Sequence, residues 1–366
     1  RATNAFGGEY MVERRDELAK WGPYGKVKPI PANLRNWLGM LDVMEGKGPI
    51  YMRTEEAIQK IANQYKDDPK AFKKKMKELE NEAWEDFLDM TISQSILWAA
   101  TNTQPEEKSS EIAAAEPYFI GSHSGASGAW VSGPEDLQTD ETKGEYFWGY
   151  ENMTTVKGLF CAGDASGASS HKFSSGSHAE GRIAGKAAIK FLVENPGDVN
   201  LDTGKFEEIK AEILKPLKTY EEGKGYTVTD DITPNYIRPK MFLFRLNKIM
   251  DEYAGGTSMW YTTNKAMLER ALEELRMLYE DSKFLGASDL HELMRAWENY
   301  HRLWTSECHV RHLMFREETR YPGYYYRADF KEVLDEANWK VFTISKWDPA
   351  TRKWSIRKEP VKEWLT

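Results

Sequence analysis

Two short stretches of this chain concentrate the residue types that handle ligands. The first runs Gly158-Leu159-Phe160-Cys161-Ala162-Gly163-Asp164, through the small residues Ala165 to Ser170, to His171-Lys172-Phe173-Ser174-Ser175-Gly176-Ser177. It reads as an apolar strand ending at an acidic residue, a small-residue loop, and an alanine-rich helix over Ala179 to Val193. Such an order offers one ligand both a carboxylate and the unsatisfied backbone N–H groups of a helix start. A plain strand-loop-helix crossover would use small residues only for close packing. The position of the acidic residue favours the ligand, because nucleotides and flavins bind at the carboxyl edge of a parallel sheet in this way.

The second stretch is Tyr118-Phe119-Ile120-Gly121-Ser122-His123-Ser124-Gly125-Ala126-Ser127-Gly128-Ala129-Trp130-Val131, where one strand delivers His123 to a run of small residues and a second strand follows. A lone histidine is commonly a structural hydrogen-bonder. Here its neighbours Ser122 and Gly125 are too small to bury it, and they let a ligand approach the backbone. The functional reading of His123 is therefore preferred. Arg35, near a predicted helix start at Asn33-Leu34-Arg35-Asn36-Trp37-Leu38, reads on its own as a solvated surface charge.

These stretches need a scaffold, and the composition supplies one. The 366 residues, 40% of them hydrophobic, suffice for two or three domains. A net charge of -8 argues against a nucleic-acid footprint and against bulk attraction to membranes. The two cysteines, Cys161 and Cys308, are too few for a disulfide framework or an iron–sulfur cluster, and they suggest a reducing, cytoplasmic setting. No apolar run reaches membrane-spanning length. The chain begins at Arg1 and contains no G-x-G-x-x-G loop after a strand, so a piece of a longer polypeptide is expected.

Along the chain, Gly7-Gly8-Glu9-Tyr10-Met11 reads as a turn into a short strand. Glu45-Gly46-Lys47-Gly48-Pro49 ends the Arg35 helix before a strand at Ile50-Tyr51-Met52. Helices are expected over 54–65 and 69–99, the Lys73-Lys74-Lys75 run being offset by Glu78, Glu80, Glu82 and Glu85. Thr101 to Glu116 reads as a surface connection. Amphipathic helices are expected over 205–222, 238–253, 264–282 and 288–320, and Tyr321-Pro322-Gly323 breaks the last. His309 and His312 have a metal-compatible spacing but lack an H-E-x-x-H signature, so a packed helix is preferred. The tail, around Asp348-Pro349, reads as a hairpin rich in exposed aromatics, a surface for docking.

Taken in order, Gly7-Gly8, Arg35 with Glu45-Gly46-Lys47-Gly48, His123 with Gly125 and Gly128, Gly158 to Asp164, Ser174 to Gly185, and Arg320 through Asn338-Trp339 resemble the flavoprotein subunits of the succinate dehydrogenase and fumarate reductase superfamily. Within it, Ser169 to Ser177 with Glu180-Gly181-Arg182 resembles the alpha subunits of dissimilatory adenylylsulfate reductases. Dicarboxylate enzymes place an arginine in this loop, in an Asn-Arg-Leu-Gly run. Here no arginine lies between His171 and Ser177, whereas two carboxylates call for bidentate guanidinium partners. A fumarate or succinate oxidoreductase is accordingly the second reading, and a helical scaffold without catalysis the third.

The resemblance implies an α/β plus α fold, the C-terminal part of a fumarate reductase-like flavoprotein. Its expected domains are a partial capping domain at 1–115, the remainder of a Rossmann-like FAD domain at 116–200, a helical domain at 201–330 and a docking tail at 331–366. It implies FAD-dependent reduction of adenylylsulfate to sulfite and AMP, or the reverse, with flavin N5 attacking sulfur. By the same resemblance His123 serves the sulfate or phosphate side with Arg35 as a second candidate, and Phe173 and Gly125 contact the substrate, the ring of Phe173 meeting adenine. Asp164, Gly163, Ser122, Ser175, Gly176 and Ser177 hold the cofactor, the helix start offsetting charge on the reduced flavin. No metal is expected in the chain. Electrons arrive from a ferredoxin-like beta subunit with two [4Fe-4S] clusters and, through it, a membrane electron-transfer complex, while a preceding half of the polypeptide holds the rest of the FAD.

Overall fold

The computed structural model of the chain describes residues 2–26, 32–90, 92–112, 127–137, 146–167, 174–197, 202–226, 233–320, 325–330 and 334–361. The backbone forms two compact units, residues 1–119 with 203–359, and residues 120–202 with 360–366. The segments read from sequence as capping and helical domains thus share the first unit.

In the N-terminal part of the first unit, β1 (Ala2–Thr3), β2 (Tyr51–Met52) and β3 (Ser110–Glu111) pair antiparallel in that order. The turn at Gly7-Gly8 leads into a helical turn, α1 (Tyr10–Glu13), and not into the expected strand. The cause is Asn4, whose Oδ1 accepts the N–H groups of Phe6 and Gly8 and folds the chain back on itself. Leu34 and Leu38 on α2 (Ala32–Met44), one turn apart, close on Tyr10, Leu18, Trp21 and Ile50. The expected helices at 54–65 and 69–99 are α3 (Thr54–Ala62) with a 3₁₀ turn, then α4 (Pro69–Met90) and α5 (Ile92–Thr101). Buried Trp98 ties α5 to β3 through a 2.7 Å bond to Ser110 Oγ. Residues 110–111, expected in a surface connection, are therefore a strand.

The second unit contributes one long helix, α6 (Ser174–Glu194), which starts earlier than the expected 179.

The C-terminal part of the first unit is a helical bundle: α7 (Phe206–Gly223), α8 (Pro239–Tyr253), α9 (Lys265–Asp281) and α10 (Leu290–Phe315). Pro239 opens α8, and side-chain caps from Asn264 and Asp289 open α9 and α10. Phe242, Leu246 and Ile249 then meet Leu268, Leu275 and Leu278 and the inner face of α10. That last helix ends earlier than the expected 320, because Arg316 turns to extended backbone. Its guanidinium, with that of Arg320, reaches buried Glu318 at 2.7 and 2.6 Å. A parallel pair, β4 (Thr262–Thr263) with β5 (Tyr326–Arg327), follows, and Trp37 of α2 stacks on Tyr326 at 5.3 Å, joining the two parts of the unit.

The chain closes with α11 (Glu336–Trp339) and the paired strands β6 (Val341–Asp348) and β7 (Lys353–Pro360). The hairpin's tryptophans, expected to be exposed, turn inward: Trp347 and Trp354 lie 4.8 and 5.6 Å from Trp304 of α10. Apolar rings on one face of a two-stranded sheet need a partner, and α10 is the nearest. His312 Nδ1 meets Thr343 Oγ1 at 2.9 Å in the same seam.

Burial, and then the charges of His309 and Arg316, hold His312 below the ordinary histidine value of 6.5. A basic group lowered by folding favours the folded state above that value and opposes it below. Thermal unfolding measured from neutral to acid pH should therefore show stability falling as pH drops below 6.5, less steeply in His312→Gln. An unchanged slope in that variant would remove His312 from the account.

Candidate functional site

The second unit is built around the first of the two small-residue stretches. Three segments lie side by side, joined by bridges between Val131 and Thr154 and between Met153 and Phe160. The apolar strand expected over 158–162 reduces to this single bridge at Phe160, followed by extended backbone at Ala162. Asn152 stands in left-handed backbone, φ 59°, and trades hydrogen bonds with Cys161: its Nδ2 donates to the Cys161 carbonyl and its own carbonyl accepts the Cys161 N–H, each at 3.0 Å. That pairing carries the chain straight into the turn.

The turn itself is Gly163–Ala165, one 3₁₀ turn. Gly163 has φ +66°, a backbone that L side chains avoid, which explains the glycine. Its carbonyl accepts the Ser166 N–H at 2.9 Å, and its own N–H donates to Glu180 Oε2 at 2.7 Å. On the other side, Ala129 N–H donates to the Ala165 carbonyl and Gly167 N–H donates to the Ala129 carbonyl, a parallel bridge between the two small-residue stretches. They touch at Gly128, where a Cβ would lie 2.4 Å from the Ser166 carbonyl carbon. Gly163 and Ser166 are buried, while Asp164 between them is exposed.

Helix α6 packs on this turn from below. Glu180, Ala184 and Ala187 form its buried stripe, and Phe191 meets Tyr150 at 5.1 Å and Phe160 at 6.0 Å. Its first turn, Ser174 to Ser177, holds no acidic side chain to offset the positive end of the helix dipole. Ser177 lies against the turn, with its Oγ 3.5 Å from where a Gly163 Cβ would be.

The structure thus brings together Gly163, Asp164 and the helix start at Ser175, Gly176 and Ser177. Ser122, His123, Gly125 and Phe173 lie outside the described residues. Arg35 belongs to the other unit. It is partly buried on α2, where its charge acts on Tyr10, whose hydroxyl burial pushes up to about 12. Two residues of the site had no role in the sequence reading, Asn152 and Glu180. Glu180 could have been found from its spacing, since 180, 184 and 187 put a carboxylate on the apolar stripe of a helix. Among the described residues no group of three metal-ligating side chains occurs, and no helix is long and apolar enough to cross a membrane.

Comparison with known proteins gives a consistent picture. Residues 245–365 match the family model described as the fumarate reductase flavoprotein C-terminus. The chain is 47% identical over 98% of its length to an adenylylsulfate reductase subunit alpha from Megalodesulfovibrio gigas. Two solved structures superpose on the whole chain at 50% identity and a TM-score of 0.89: an adenylylsulfate reductase from Archaeoglobus fulgidus, and an adenosine-5-phosphosulfate reductase in complex with sulfite as a covalent adduct. The chain spans about half the length of these relatives, 54% of the curated one and 56% of each structure.

A methyl group at Gly128 must push Ser166 away, which would open the bridge and release the turn. Gly128→Ala is expected to lower stability by about 1–3 kcal/mol, the usual range for overpacking, and to speed amide exchange across 163–167. Chemical denaturation with exchange mass spectrometry checks both, and wild-type values in the two measurements would contradict the close approach.

Proposed function

Because this chain is a homologue of adenylylsulfate reductase alpha subunits along its whole length, we propose that the protein it belongs to is a FAD-dependent adenylylsulfate reductase. The observation that carries the reading is the ligand loop. The exposed carboxylate of Asp164 lies beside the start of α6, whose first turn carries no acidic side chain, around a left-handed glycine turn, and the loop sequence leading to it contains no arginine.

These features fit a flavin. A carboxylate at the turn accepts hydrogen bonds from ribityl or ribose hydroxyls, and the Ser175-Gly176-Ser177 backbone sets helix N–H groups against the electron-rich edge of the ring. When bound, FAD supplies the two electrons that take sulfur from the sulfate to the sulfite level. The protein's own residues then have three tasks. His123 holds the sulfate or phosphate and donates or accepts a proton there. Arg35 is a second cation for the same anion, an assignment that rests on its place in the ordered motifs. Phe173 stacks on adenine, with Gly125 as the second substrate contact and Ser122 assigned to the cofactor. As the S–O bond breaks, AMP leaves with the bridging oxygen, and cationic donors offset its charge.

The electrons come from an iron–sulfur partner, for which we assign a ferredoxin-like beta subunit carrying [4Fe-4S] clusters. The tail from residue 331 is its assigned docking segment, within a division of the chain into capping (1–115), FAD (116–200) and helical (201–330) parts. A content of only two cysteines, Cys161 and Cys308, suits the reducing, cytoplasmic setting we assign.

The complete holoprotein, given sulfite and AMP with an artificial acceptor, should reduce that acceptor, and should not do so with succinate. Succinate-dependent reduction in place of the sulfite reaction would make it a dicarboxylate enzyme, and a preparation without flavin absorbance would end the FAD reading.

His123→Ala, with FAD content preserved, should lower turnover by about two to four orders of magnitude, the contribution of a proton-transfer group. An unchanged rate with normal FAD content would remove that role.

A further inference from the structure

Glu180 sits where packing asks for a small apolar side chain. It shares the buried stripe of α6 with Ala184 and Ala187 and is only 8% exposed. A carboxylate is unfavourable in such a place unless its oxygens are used. One of them is. Oε2 accepts the Gly163 N–H at 2.7 Å, the length of a charge-assisted bond.

That bond acts on the one backbone unit of the turn that most needs holding. Gly163 is in left-handed backbone with extended Ala162 before it, so the peptide joining them must be fixed from outside. Glu180 holds it from α6, while Ala129 holds the other end of the turn through the Ala165 carbonyl. Between these two anchors lies Asp164. The second oxygen, Glu180 Oε1, is buried with no hydrogen-bond partner among the described residues. A buried acceptor without a donor calls for an explanation, and a donor from outside the chain is one.

We propose that Glu180 is a positioning residue for the cofactor: its Oε2 fixes the Gly163 peptide and so aims Asp164, and its Oε1 is left to accept a hydrogen bond from a hydroxyl of the bound ligand. The inference rests on the flavin reading given above, with the polyol part of FAD as the donor class. Glu180 takes no part in the reaction itself.

Two variants of the complete polypeptide separate the oxygens. Glu180→Ala removes both, and Glu180→Gln keeps a carbonyl for Gly163 while placing an amide NH₂ where the ligand's donor would lie. Amide exchange of the apoprotein over 158–167 should quicken in Glu180→Ala and stay at the wild-type rate in Glu180→Gln. FAD titration should show a dissociation constant raised about 10–100-fold by alanine and about 3–10-fold by glutamine, the range for losing two hydrogen bonds or one. Wild-type exchange over 158–167 in Glu180→Ala, or glutamine as disruptive there as alanine, would overturn the positioning role. Unaltered FAD affinity in both variants would overturn the ligand role. A wild-type polypeptide that binds no FAD would instead end the flavin reading, and the apoprotein exchange would still report on Glu180 and Gly163.

Discussion

No side-chain carbon fits between Gly128 and the Ser166 backbone. The 2.4 Å that a Cβ would leave to the Ser166 carbonyl carbon is far inside contact distance, so this glycine is required by space as well as by its φ of +151°. The close approach lets Ala129 bridge to Ser166, and the bridge in turn holds the Ala165 carbonyl and the Gly167 N–H. Two loops of small residues, more than thirty positions apart in the chain, thereby become one surface. Loops of this composition are usually among the least ordered parts of a protein. Here backbone-to-backbone bonding substitutes for the side-chain packing they cannot supply.

Buried carboxylates in this chain are satisfied to different degrees. In the first unit Glu318 is fully buried, but both oxygens are engaged: Arg316 and Arg320 reach Oε1, and the Asp335 N–H reaches Oε2 at 2.8 Å. Arg327, 1% exposed, is likewise bonded to the Arg316 carbonyl and to Asp329. Such a satisfied network fixes where α10 ends and where the tail begins, and it leaves nothing over for a ligand. Glu180 in the second unit differs from Glu318 in having a buried oxygen without a donor among the described residues, a feature it shares with Glu55 and Glu106 of the first unit. The contrast separates a structural carboxylate from one with spare hydrogen-bonding capacity.

Much of this was legible in the residue order. The helices of the bundle follow from apolar spacing, with Asn264 and Asp289 as readable caps, because helix periodicity and capping are local. What could not be read depends on contacts across long separations. The strand Ser110–Glu111 exists because Tyr51 and Met52 lie beside it. Gly7-Gly8 gave a helical turn because Asn4 captures two N–H groups. The hairpin tryptophans were read as exposed because a two-stranded sheet reveals its buried face only when its partner helix is known. At the site the acidic turn and the helix start are both recognisable in the sequence, whereas Glu180 stands there only as part of the Glu180-Gly181-Arg182 motif, because its bond to Gly163 spans seventeen positions.

The family match and the ligand loop lie in different places, and this bears on how function is read. The fumarate reductase flavoprotein C-terminal model covers residues 245–365, which is the bundle from within α8 onward together with the tail. None of the Gly163 turn, the α6 start or the small-residue loop falls within it. A scaffold common to enzymes with different substrates carries no information about which substrate is used. That information has to come from residues 168–177, where a dicarboxylate enzyme would need a guanidinium and this chain offers serines, His171, Lys172 and Phe173. A single lysine is a point charge that cannot grip two carboxylates in the bidentate manner of arginine, while an aromatic ring suits a base. The family model therefore speaks for the bundle and tail, and the loop on which the two substrate readings proposed above differ lies outside it.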